Sequence, residues 1–130
     1  MTISRLRPAI AVLAAMSLAT IATIAQADPA GKWRVEFSDR ADNDGVLTLH
    51  VSPEAGTPVD VETKITAKSS PDRVAKTVRD SLRVSLGDGY HVETDDGEDV
   101  VIKKVGKTPK FELTLASSTL TGLQVKIKRE

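Results

Sequence analysis

The stretch SPDRVAKTVRDSLRVSLG, Ser70 to Gly87, decides the fold class. Ser70 offers a hydroxyl to the orphan amides of a helix start, Pro71 suits the first helical position, and Asp72 sits favourably in the positive first turn. Val74, Ala75, Val78, Leu82 and Leu86 then fall on one stripe at helical spacing, while Arg73, Lys76, Arg79, Asp80 and Arg83 face water. Gly87 ends the run, with Gly89 close behind. The spacing predicts one amphipathic helix over about 71–86, and a lone apolar stripe needs a sheet to cover.

The flanking chain reads at the period of strands. Trp33, Val35 and Phe37 alternate with Arg34, Glu36 and Ser38, and Leu47, Leu49 and Val51 alternate with Thr48 and His50. Between them Asn43, Asp44 and Gly45 favour a turn, so the pair is expected to form a hairpin. A break at Pro53, Gly56 and Pro58 precedes a third strand, Val59, Val61, Thr63 and Ile65 against Asp60, Glu62 and Lys64. After the helix come Tyr90–Thr94, Val100–Ile102, Phe111–Leu115 and Leu123–Ile127. The expected fold is α+β, with one antiparallel sheet of about seven strands in the order βββαββββ packed on the helix. Trp33 and Tyr90 share parity with apolar neighbours and are assigned to the core. The lysines of the last strand, Lys126 and Lys128, are expected to shield an exposed edge.

ETDDGEDV, Glu93 to Val100, crowds five carboxylates around Gly97. A two-residue turn at Asp96 and Gly97 would set Glu93 against Val100 and mix apolar with polar on one face. A three-residue connection, Asp96 to Glu98, instead sets Val92 against Ile102, Thr94 against Val100 and His91 against Lys103. The acids are then expected to be a solvated hairpin tip. A calcium loop of the EF-hand kind needs oxygen ligands at fixed offsets around its glycine, and neither Gly97 nor Gly45 has them. If the tip held a cation, Asp95, Asp96 and Asp99 would be the candidate ligands; no cofactor is expected.

The N-terminus bounds the destination. Arg5 and Arg7 precede an uncharged run from Pro8 that closes in Ala25, Gln26, Ala27, the layout of a short bacterial secretory signal peptide cleaved after Ala27. Ser17, Thr20, Thr23 and Gln26 dilute the second half of the run, so no stable membrane anchor is expected after cleavage. The remaining chain, residues 28–130, is expected to be a single periplasmic or secreted domain. Removing the signal takes away two arginines and leaves a net charge near −2, which argues against a nucleic-acid partner. There are no cysteines, so disulfides and cysteine nucleophiles are excluded.

The two histidines, His50 and His91, both fall at outward positions of strands, so a serine nucleophile lacks an evident base. His91 and Glu93, two apart on one face with Lys103 opposite, form the candidate ligand contact. The run from Gly56 to Ile102, with the strand Val59–Ile65, the helix carrying Ser70, Pro71, Asp72, Val74, Ala75, Val78 and Leu82, then Gly89, Tyr90, Val92 and the strand Val100–Ile102, resembles the small α+β display modules of flagellar and phage-tail surface proteins. The resemblance covers under half of the chain. It departs in that this helix is charged outside where those are alanine-rich, and in that the domain stands behind a signal peptide. It implies a display or binding module and transfers no catalytic residues. The function expected is a non-enzymatic interaction domain binding a protein or envelope polymer through a sheet edge or a hairpin tip. The alternative is a small secreted inhibitor whose loop, 39–45 or 95–99, plugs a hydrolase.

Overall fold

In the computed structural model, which describes residues 29–130, the helix forms where its caps predict. It spans Pro71–Leu86 (α1), the Ser70 side chain accepts a hydrogen bond from the Arg73 amide, and Gly87 closes it with φ 69°. Val74, Ala75, Val78 and Leu82 are fully buried, and Leu86 packs at the margin of the same core. Val74, Val78 and Leu82 each contribute on the order of 1.5–3 kcal/mol by leaving water and Ala75 less, and this burial is what holds the helix. The signal segment assigned to residues 1–27 lies outside the described residues.

Seven strands accompany the helix: Lys32–Ser38 (β1), Gly45–Pro53 (β2), Val59–Ile65 (β3), Tyr90–Asp95 (β4), Asp99–Lys104 (β5), Phe111–Ser118 (β6) and Gln124–Arg129 (β7). The α+β class and the element order are those expected. The single sheet is not: the strands divide into a four-stranded sheet, β4-β5-β1-β7, and a three-stranded sheet, β3-β2-β6, all pairs antiparallel. The β1–β2 hairpin is therefore replaced by a crossing between sheets. Its link carries Ala41 into the core, where the Ala41 amide donates to Ser69 O and its carbonyl accepts from Lys68 N–H. Alternation told which face of each strand is apolar, and two apolar faces are buried equally well side by side or stacked.

The β4–β5 hairpin keeps the expected register, with Val92 opposite Ile102, Thr94 opposite Val100 and His91 opposite Lys103. Asp96 and Gly97 both take positive φ, 52° and 80°, which aspartate tolerates and glycine favours.

The central strands β1 and β2 supply Trp33, Val35 and Phe37 from one sheet and Leu47, Leu49 and Val51 from the other to one core. On one flank, helix α1 lies against both β3 and β4 and covers their edges; Arg83 Nε donates to Val92 O at 2.8 Å, capping a carbonyl that β5 does not use. The sheets are also stitched at a corner, where Ala30 and Phe111 exchange two backbone bonds of 2.9 Å. There Trp33 Nε1 donates to Phe111 O at 2.7 Å, and the Tyr90 ring meets the Phe111 ring edge-on at 5.1 Å. Both aromatic assignments to the core hold, Trp33 buried and Tyr90 half-buried; burial raises the Tyr90 phenol above its usual pKa.

Candidate functional site

Alternation along β1 puts Arg34 on the outer face of the four-stranded sheet, opposite Val101 on β5 and Lys128 on β7. Its guanidinium gathers three carboxylates: Nη1 donates to Asp99 at 2.7 Å, Nη2 to Asp95 at 2.8 Å and Nε to Glu130 at 3.1 Å. The hydrogen bond to Glu130, followed by those to Asp95 and Asp99, holds Arg34 charged far beyond its ordinary range. The same contact keeps the Glu130 carboxyl below its usual pKa.

This cluster corrects the expectation of a wholly solvated acidic tip. Asp96 and Glu98 are exposed, but Asp99 is only 9% exposed and Asp95 leans onto Arg34. The physical cause is a cation on a neighbouring strand, which no reading of the hairpin alone supplies. Asp95 and Asp99 thus hold a guanidinium between them, while Asp96 stands apart at the turn. Among the described residues no three His, Asp or Glu side chains are arranged to hold a metal ion.

His91, Glu93 and Lys103 do come together on the outer face of β4 and β5. His91 Nε2 lies 3.2 Å from Glu93 Oε2, and Lys103 stands directly across the ladder from His91. Both partners of the His91–Glu93 contact are more than half exposed. An open groove of about 460 Å³ passes between His91, Tyr90, Val105 and the helix end at Arg83 and Asp88. A second, of about 300 Å³, lies between His91, Lys103 and Val105. His50 is on the other sheet, bonded to Asp60 across β2 and β3, so the two histidines do not share a site.

The flank opposite the helix holds the edge expected at the lysine-bearing last strand; reading the strands singly missed only that β6 lies beside it. There the sheets end in β6 and β7, joined by the link 119–123. Leu115 is 40% exposed on β6, and Leu123, Val125 and Ile127 are half-buried. The polar edge can be assigned from the ladder. Glu130 N–H donates to Lys32 O, so by alternation Lys126 and Lys128 bond β1 while the amides and carbonyls of Val125, Ile127 and Arg129 point away from it. On β6 the Lys110 carbonyl accepts from Glu54 N–H and Phe111 turns to Ala30, so Leu113 points its backbone groups outward. Lys126 and Lys128 had marked the last strand as an edge, and no described strand covers β7; strand order adds which sheet it bounds. The chain matches no protein-family model and no curated protein, so its function is reasoned from these surfaces.

Proposed function

We propose that this chain is an exported, non-enzymatic interaction domain that binds its partner along the open β6/β7 flank. The observation carrying the reading is the asymmetry of the two flanks: α1 covers the β3 and β4 edges, while β6 and β7 present outward backbone groups beside the exposed Leu115 and the half-buried Val125 and Ile127. Unpaired strand edges flanked by apolar side chains are the usual template for added chains. The resemblance of residues 56–102 to display modules agrees with a binding role. The groove at His91 is a second contact surface on the same sheet and accommodates a polar group beside the His91–Glu93 pair.

The alternative, an inhibitor acting through the 39–45 loop, draws on that loop's rigidity: Asp42 N–H donates to Thr121 O, and the Asn43 side chain bonds both Thr119 O and Thr121 N–H. A preorganised loop loses little freedom on entering an active site. A photo-crosslinking amino acid placed at Leu115, Asp42 or Asp96 separates the readings in extract from the exporting compartment. Capture from Leu115, lost when Ile127→Asp is added, supports the open flank. Capture only from Asp42, of a hydrolase whose turnover falls on binding, replaces it with the inhibitor.

A further inference from the structure

We infer that the β7 edge accepts an extended peptide segment whose inward residues are apolar and whose outward residues are acidic. The inference rests on the reading of the flank as a binding surface and names the strand, the occupant's conformation and its charge.

The two open strands are not equivalent. The β2–β6 ladder carries a register shift between Thr48 and Leu49, so β6 bulges near Ala116. A bulge twists an edge away from a would-be partner. β7 pairs with β1 through six consecutive positions without a shift and contains no proline, so its outward amides at Val125, Ile127 and Arg129 stay in line. A strand added there continues the four-stranded sheet.

Register then sets the side-chain chemistry. Val125 and Ile127 lie opposite Phe37 and Val35 and face the interior, so the added strand must bring apolar residues at alternate positions to cover them. Gln124, Lys126 and Lys128 lie on the outer face. On that face Asp95, Asp99 and Glu130 are already directed at Arg34, Glu36 at Lys128, and Glu93, two strands further from β7, at His91. Lys126 forms no ion pair among the described residues and stands beside the position an added strand would fill.

The same charges oppose a second copy in the registers centred nearest the middle of β7. In antiparallel self-pairing centred on Lys126, Ile127 or Lys128, at least one lysine faces a lysine across the new ladder, and directly opposed like charges destabilise a sheet. An acidic outer row turns that repulsion into attraction at the same positions.

The test uses the full chain recovered after secretory expression and three synthetic decapeptides: alternating valine and glutamate, alternating valine and lysine, and a scrambled valine–glutamate control. Amide hydrogen exchange is followed at Val125, Ile127 and Arg129. In the protein alone these amides exchange much faster than those of Lys126 and Lys128, and the alternating acidic peptide slows them. It binds roughly tenfold more tightly than the basic peptide at low salt, and the Lys126→Glu, Lys128→Glu double variant reverses that order. Lys126 is exposed, whereas Lys128→Glu also breaks the ion pair with Glu36, so the unfolding midpoint is measured alongside and the single variant Lys126→Glu, which breaks no ion pair, must shift the preference in the same direction.

Equal binding of all three peptides, or no slowing at Val125 and Ile127, overturns the inference. Slow exchange at these amides without peptide overturns it too, and a dependence on protein concentration then assigns the edge to a second copy. Capture from Leu115 that persists while β7 amides stay fast leaves the flank as a binding surface and removes only the strand-addition inference. Loss of all capture at the flank removes the wider reading.

Discussion

Arg34 shows how much one side chain can decide. Its guanidinium neutralises Asp99, which is almost out of water, so Arg34→Ala strands a buried carboxylate; breaking such a pair costs about 2–3 kcal/mol, read as a drop in urea stability. Asp96→Ala, at the exposed turn three residues away, should stay within about 0.5 kcal/mol. The Glu130 contact predicts a pH dependence of definite sign. Because the folded carboxyl titrates below its ordinary value near 4.5, its stabilisation is present above that value and is lost as pH falls through the folded pKa. Glu130→Gln should therefore lower the urea midpoint at neutral pH, and the gap from the parent should close on acidification. A gap that widens in acid would contradict the assignment.

Helix and links carry their own predictions at the scale of elements. Leu82→Ala, at the fully buried centre of the stripe, should cost about 3–4 kcal/mol, whereas Val84→Ala, 87% exposed on the same helix, should be nearly neutral; paired chemical denaturation curves check the contrast. The link between β6 and β7 passes so close to the 39–45 loop that a Cβ at Gly122 would lie 2.6 Å from the Arg40 carbonyl, at a φ of 87°. Gly122→Ala should thus cost about 2–3 kcal/mol through contact and backbone strain, measurable as a lowered thermal midpoint. This is an approach between segments some eighty residues apart in sequence, and ASSTLTG by itself reads only as a polar connection.

For the molecule as a whole, the corner at Phe111 is the joint that keeps two sheets in one cooperative unit. Three of the four aromatic residues meet there, and Trp33 is the only tryptophan, so its emission should be blue-shifted when folded and should move red in one transition coincident with loss of far-ultraviolet circular dichroism. Trp33→Phe keeps most of the apolar surface but withdraws the indole donor from Phe111 O, and a loss of about 1–2 kcal/mol is expected in the same experiment. Separate transitions for the two spectroscopic signals would mean that the sheets unfold independently.

What the chain determined locally was determined well, because the causes act over a few residues. Ser70, Pro71 and Gly87 cap a helix through amides and dihedrals of their own neighbourhood, and the stripe Val74, Ala75, Val78, Leu82 needs only helical geometry to line up. The β4–β5 register followed from the same kind of cause, since a one-residue slip would turn Val92 and Ile102 out to water. Strand partnership is another matter. Apolar alternation marks an inner face but is indifferent to which strand lies alongside, so β1 looked like the mate of β2 when its mates are β5 and β7, brought from sixty and more residues away. Only that packing set Arg34 beside Asp99, turned part of an acidic loop into a half-buried ion cluster, and brought the lysine-marked edge of β7 next to β6. Hydrophobic burial is non-directional, and the choice among equally buried arrangements falls to closure of the whole core.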